Sequence, residues 1–161
     1  MAVEIRVRST VAKSVPNLNQ LQSTAQRLLN ALGLTKAELS ILLTGDSEIR
    51  ALNRAWRQVD APTDVLSFSQ IEGPPEPTYS GPLGDIVVSL DTAIEQAKDG
   101  YHKERLGLAE WTVEDEVLFL LVHGLLHLAG HDHDDDDSEA MMRAEERRLF
   151  ELVRAEAAET P

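Results

Sequence analysis

Four of the five histidines lie within residues 123–133, in the run His123-Gly124-Leu125-Leu126-His127-Leu128-Ala129-Gly130-His131-Asp132-His133. His123 and His127 are four residues apart in a stretch that reads as helix. At about 1.5 Å of rise per residue, their Cα atoms sit roughly 6 Å apart on one face. At that separation two imidazoles can share one tetrahedral metal. Gly130 can take a positive φ, so the chain can leave the helix there and turn back. The turn can bring His133 to the same point. Three neutral nitrogens leave a fourth position for water, as in a catalytic zinc site. A metal held this way lowers the pKa of its water to about 7. A lone histidine here would ordinarily be a polar residue at a helix end. The spacing His-x3-His-x2-Gly-x2-His is far more specific and matches the metzincin ligand spacing, glycine included. His131 is the competing third ligand. It lies one residue past Gly130, and so quick a return to the metal is strained, so His133 is preferred.

One residue departs from the zinc proteases. They carry Glu directly after the first histidine as general base. Here that residue is Gly124, which cannot move a proton, so the spacing does not make the chain a peptidase.

Other residues could serve this chemistry. Arg50, Arg54 and Arg57 fall on one face of a helix expected over 46–58, away from Ile49, Leu52 and Trp56. Three guanidiniums at that spacing can grip phosphates, and equally can form a solvated face. Asp85, beside an apolar strand, needs a partner. It either orients a histidine or arginine from behind the metal ligands or caps a strand end. Asp132 is a second candidate for that supporting role. Asp134 to Asp137 suit the start of a last helix, where negative charge is favoured. His102, between Tyr101 and Lys103, is expected on the surface.

These residues need elements to hold them. Val3, Ile5 and Val7 alternate as in a strand. Leu18 to Leu32 has helical spacing, with Gly33 as its cap. Leu39–Leu43 reads as a strand, and Asp46 to about Gln58 as a helix with Ile49, Leu52 and Trp56 inward. Val65–Phe68 is a short strand. Residues 72–82, rich in proline and glycine, form a loop and not a domain linker. Gly84–Val88 is a buried strand, and about 91–106 one helix. Thr112 caps a central buried helix through Leu128, which Gly130 ends. Ser138 to about Ala157 is a last amphipathic helix. The expected architecture is α+β, with a small mixed sheet packed against helices, in one domain spanning 1–161.

Composition narrows the function. There are no cysteines, which excludes disulfide-linked partners, thiolate metal sites and cysteine nucleophiles. Met1–Thr10 has no apolar leader core, and the apolar run around Val117–Leu128 is too short and polar to span a bilayer. The net charge is −13. Residues 1–80 are balanced, so the excess lies in 81–161. That argues against a protein that simply coats nucleic acid, while allowing a local basic face in the first half.

The histidine segment resembles the signature of the YbeY family, bacterial metal-dependent endoribonucleases of ribosomal RNA maturation. Three further blocks are similar to the family's, in the same order: Asn53-Arg54-Ala55-Trp56-Arg57, Thr63-Asp64-Val65-Leu66-Ser67-Phe68, and Leu83-Gly84-Asp85-Ile86-Val87-Val88-Ser89. The resemblance covers most of the chain, with 72–82 as a variable loop. It implies a zincin-like α+β fold and metal ligands at His123, His127 and His133, with His131 outside. It implies a catalytic or substrate-binding role for Arg57, with Arg50 and Arg54 as possible phosphate contacts. It also implies a cytoplasmic protein acting on ribosomal RNA and the small ribosomal subunit. Three imidazoles suit one Zn2+ per chain. Two other readings remain: a metal-stabilised ribosome-assembly binding factor with little catalysis, and a metal-dependent hydrolase of another substrate.

Overall fold

The computed structural model describes residues 2–8 and 16–159, with side chains through Arg154. The reading of Met1–Thr10 therefore falls partly outside the described residues. The elements in chain order are β1 (Val3–Val7), α1 (Leu18–Ala31), β2 (Ala37–Thr44), α2 (Asp46–Arg57), β3 (Val65–Ser69), β4 (Gly81–Ser89), α3 (Leu90–Asp99), α4 (Tyr101–Leu106), α5 (Val113–Leu128) and α6 (Asp136–Glu159). The architecture is mixed α+β.

The four strands form one sheet in the order β1-β2-β4-β3. β1, β2 and β4 run parallel, and β3 is antiparallel to β4. β1 and β3 are thus the edges. Leu39, Ile41 and Leu43 of β2 and Leu83, Ile86 and Val88 of β4 face the main core, with α1, α3, α5 and α6. The opposite face is only partly covered. There Leu66 and Val87 pack with Ile49 of α2 in a smaller cluster, bordered by Leu42, Leu52 and Phe68. β4 is buried on both faces, as its nearly continuous apolar run requires.

α5 is the spine of the main core. Thr112 caps it by accepting from the Asp115 backbone N–H, while the Asp115 carboxylate accepts from the Thr112 N–H. Both groups would otherwise be orphaned at the helix start. From Val117 to Leu128 almost every residue except the histidines is buried.

Three expectations are corrected. Residues 91–106 are two helices, because Gly100 at φ 74° turns the chain between α3 and α4. β4 begins at Gly81, inside the expected loop, where it pairs with Ala37 of β2. Trp56 is not inward. Ile49 and Asn53 are the buried residues of α2, while Trp56 overhangs the sheet at 69% exposure. Its indole makes an edge-to-face pair with Phe68, at 6.2 Å between ring centres.

Gly84 lets β3, β4 and the end of α5 meet closely. A Cβ there would lie 2.5 Å from the Phe68 carbonyl oxygen and 2.8 Å from Leu128 Cδ2. The first is backbone and cannot swing away. Gly84→Ala should therefore destabilise by about 1–3 kcal/mol, the usual range for overpacking. For a chain of this size that is a fall in Tm of several degrees, roughly 2–4 °C per kcal/mol, read by thermal unfolding. An unchanged Tm would show that this contact is not tight.

Candidate metal centre

α5 carries His123 and His127 on one face near its C-terminal end, and the turn after it carries His133. The turn is a Schellman closure: the Gly130 N–H donates to the His127 carbonyl and the His131 N–H to the Leu126 carbonyl. Gly130 has φ 104°, and a Cβ there would lie 2.8 Å from Pro74 Cβ. Both the backbone angle and the close approach of the 72–80 loop call for glycine. One ligand-type atom from each of His123, His127 and His133 lies within 4.8 Å of the others. His123 and His127 are half-buried, and His133 is exposed.

The second nitrogens of the two helical imidazoles are engaged. His127 Nδ1 lies 3.0 Å from the His131 carbonyl oxygen. His123 Nδ1 lies 3.4 Å from Oε2 of Glu146 on α6. A carbonyl and a carboxylate can only accept, so both Nδ1 atoms carry the proton. Both Nε2 atoms then present lone pairs, and these face each other at 3.1 Å. Two lone pairs at that distance repel unless a cation lies between them. Ligand nitrogens around a tetrahedral zinc stand about 3.3 Å apart, from bonds of about 2.0–2.1 Å. The donor set therefore fits a metal ion.

Burial is the main influence holding the His127 pKa below its ordinary value; His123 adds to it, the His131 carbonyl opposes it, and His133 and Arg57 lower it further. The imidazole is thus neutral at pH 7, the form a metal needs. Burial of Glu146 would raise its carboxyl, but His123 and Arg105 together outweigh that and hold it below the usual range. Arg105 Nη2 lies 3.3 Å from the same Oε2.

Gly124 occupies the place of the protease glutamate, and packing explains it. A Cβ there would lie 3.0 Å from both Ile86 Cγ2 and Ser67 Oγ. Ser67 donates to the Gly124 carbonyl (3.0 Å), tying edge strand β3 to α5 beside His123. On the other side of the same residue, Arg57 Nη2 donates to the Ser67 carbonyl (3.3 Å). Arg57 therefore sits on the β3 edge, and its charge reaches His127.

The remaining candidates lie elsewhere. Asp85 faces the α2 side of the sheet and accepts from Gln70 Nε2 (3.0 Å), with neither a histidine nor an arginine as its partner among the described residues. Asp132 accepts from the Asp134 N–H within its own turn (3.3 Å). Glu146 and the His131 carbonyl fill the supporting role expected of Asp85 and Asp132. Glu146 left a signal in the sequence: Met142, Glu146, Leu149 and Val153 share the buried stripe of α6, and a carboxylate there demands a partner. Asp135 caps α6 by accepting from the Ser138 N–H (2.7 Å). Arg50 is held by Asp60 through two contacts, 2.8 and 3.3 Å. Arg54 also lowers the Asp60 carboxyl. His102 is buried, not on the surface. Its Nδ1 meets Glu116 Oε2 at 2.6 Å, and Trp111 Nε1 donates to the other oxygen of that carboxylate.

Three imidazoles converging at the end of a buried helix beside a mixed sheet define the class: an α+β protein with a three-histidine group able to hold a metal ion. Residues 5–154 match the family model described as endoribonuclease YbeY. The chain is similar to endoribonuclease YbeY of Geobacter metallireducens, 39% identical over 85% of this chain and 87% of that one. It is also similar to that of an Anaeromyxobacter species, 45% identical over 94% of this chain and 71% of that one. The solution structure of TM1509 from Thermotoga maritima is similar at 26% identity with a TM-score of 0.65, covering 99% of this chain and 93% of that one. The chain belongs to the endoribonuclease YbeY family.

The contact between His123 and Glu146 can be checked directly. Removal of such an outer partner typically costs about 10–100-fold in metal affinity. Glu146→Gln should weaken metal binding within that range, measured by competition with a chelator. His131→Ala should leave it nearly unchanged, because the backbone carbonyl remains. Wild-type affinity in Glu146→Gln would remove the carboxylate from the centre.

Proposed function

We propose that this chain hydrolyses RNA phosphodiester bonds in ribosomal RNA processing, with one Zn2+ held by His123, His127 and His133. The observation that carries the reading is the convergence of these three imidazoles beside an arginine on an open strand edge. Membership of an endoribonuclease family supplies the substrate class. The metal would supply Lewis acidity and activation of water.

The chain's own residues do the rest. His123 and His127 present unprotonated Nε2 atoms because Glu146 and the His131 carbonyl hold the protons on Nδ1. Arg57 places a guanidinium where a phosphate crossing the β3 edge would meet it. Its planar fork can hold two phosphoryl oxygens and offset charge that grows on them. Gly124 has no side chain to take a proton, and a Cβ there would press on Ile86 and Ser67. Arg54 and Arg50 lie about one and two turns back along α2, where they would add phosphate attraction. Release of Arg50 from Asp60 would be needed first. The proposed setting is the cytoplasm, with precursor RNA of the small ribosomal subunit as partner. Among the described residues no helix is long and apolar enough to cross a membrane.

Two measurements test this. Arg57 is exposed and is not one of the converging ligands, so Arg57→Ala should keep its metal and stay within about 0.5 kcal/mol of wild-type stability. Its cleavage rate at saturating RNA should fall at least about 10-fold, near 1.4 kcal/mol of transition-state stabilisation. Arg57→Lys should not restore it fully, because an ammonium lacks the fork. Wild-type turnover in folded, metal-loaded Arg57→Ala would favour a binding factor over a nuclease. Separately, a ligand that binds only the native state stabilises by mass action. Chelation should therefore lower Tm; an unmoved Tm in metal-replete protein would mean that the metal does not join α5 to the following turn.

A further inference from the structure

The partly covered face of the sheet is unused by the metal centre. Between α2 and the strands lies a groove of about 690 Å3, lined by residues of β1, β2, β3, β4 and α2. That is the size of a small-molecule or nucleotide site. Its floor is Ser40, Leu42 and Val87, and Arg6 and Arg8 are among its lining residues. Trp56 and Phe68 form an aromatic wall. None of the three histidines lines it. Ser67 links the two, because it lines the groove, donates to the Gly124 carbonyl and accepts from Arg57.

We propose that this groove binds an unpaired stretch of RNA, with a nucleobase stacked on Trp56 and the strand passing Arg57 over the β3 edge to the histidines. The inference rests on the nuclease reading for the destination of the strand. The groove's own chemistry supports the occupant. A tryptophan 69% exposed on a helix whose Ile49 is fully buried is an open stacking surface. Every base has a π face to offer it, whereas a duplex keeps its bases stacked on each other. Arg6 and Arg8 are now held by Glu4 (2.7 Å) and Glu48 (3.2 Å). Exposed pairs of this kind are weak, so phosphates can replace the carboxylates. The Asp85 carboxylate, which lines the groove and accepts from Gln70, repels a phosphate and suits a base edge. The carboxylate can accept from the exocyclic amine of cytosine or guanine. The predicted path therefore puts bases toward the aromatic wall and phosphates toward Arg6, Arg8 and Arg57. It also answers the net charge of −13: the groove is built mostly from residues 1–80, the balanced half.

The test uses the metal-loaded full chain and a short, unstructured, labelled oligoribonucleotide. Binding is read from anisotropy at the start of mixing, and turnover from cleavage of the same RNA. Trp56→Ala should raise Kd and KM about 10-fold, equivalent to about 1.4 kcal/mol, and change kcat by less than about twofold. Metal content and Tm should not move, since the indole is exposed. Trp56→Phe should keep binding within about threefold, because a smaller ring still stacks. RNA should quench the tryptophan emission of the wild type, and Trp56→Phe should lose that quenching although Trp111 remains. Arg6→Ala should reduce the salt dependence of binding by about 0.7 in log–log slope, one phosphate contact on a single strand. Wild-type Kd and KM in Trp56→Ala, or quenching that persists in Trp56→Phe, would overturn the proposal and return the groove to a protein partner. RNA binding that depends on Trp56 without any cleavage would instead sink the nuclease reading alone. Normal cleavage without dependence on Trp56 would sink the groove alone.

Discussion

Everything at the metal centre depends on how closely α5 lies against β3 and β4. Two glycines set that distance. Gly84 admits Leu128 and the Phe68 carbonyl, and Gly124 admits Ile86 and Ser67. Helix and sheet normally keep side chains between them. Here the backbone of the helix reaches the edge strand itself, through the bond from Ser67 to the Gly124 carbonyl. His123 and His127, either side of Gly124 on their own face, are thereby held at the open margin of the sheet and not in the core. Arg57 can meet the same strand from the other side because β3 has no further neighbour. A Cβ at Gly84 would force a shift against the β3 backbone, and one at Gly124 would press on Ile86 and Ser67.

The same contact explains why the chemistry differs from that of zinc proteases with equal ligand spacing. Their glutamate needs room beside the first histidine. In this chain that room is taken by Ile86 and the Ser67 hydroxyl. The carboxylate that serves the centre comes instead from α6, and it lies behind His123, not beside the reacting position. There it orients and polarises an imidazole but has no access to a substrate proton. Glu146 is 3% exposed and shared with Arg105. Buried carboxylates recur in this half of the chain. Glu116, fully buried, holds His102 and Trp111 near the start of α5. Each has a cationic or N–H partner, as burial of a charge requires.

Patterns confined to one element were legible in the sequence. The helical pair His123 and His127, the turn at Gly130, the capping Thr112 and the alternating strands all follow from spacing along a single segment. Family resemblance tied Arg57 to the centre, which spacing alone did not do. What escaped depended on contacts between elements. Periodicity put Trp56 with Ile49 and Leu52, but it cannot say where the sheet beneath a helix ends. His102 looked like a surface residue between Tyr101 and Lys103, because Glu116 lies on another helix. Asp85 was read either as a partner behind a histidine or arginine or as a strand-end cap, and the pleat turns it to the α2 face, where Gln70 meets it. Gly100 sat in a helical pattern, where its left-handed φ could not be read from periodicity.

The fold thus divides labour across the sheet. On the α5 side, Glu146 and the His131 carbonyl accept from the Nδ1 atoms of His123 and His127 and so orient the two rings. On the α2 side, the balanced first half keeps arginines and aromatics exposed. A polyanion would be repelled more strongly by the first surface than by the second. It could reach the histidines only at the boundary between them, which is the β3 edge. That edge is where Arg57, Ser67 and Gly124 form one continuous set of contacts. An overall acidic chain can therefore act on RNA without a broad basic surface. Long-range repulsion of this kind would lower nonspecific association, and on the proposed path a strand crossing that narrow edge would bring its phosphate to Arg57.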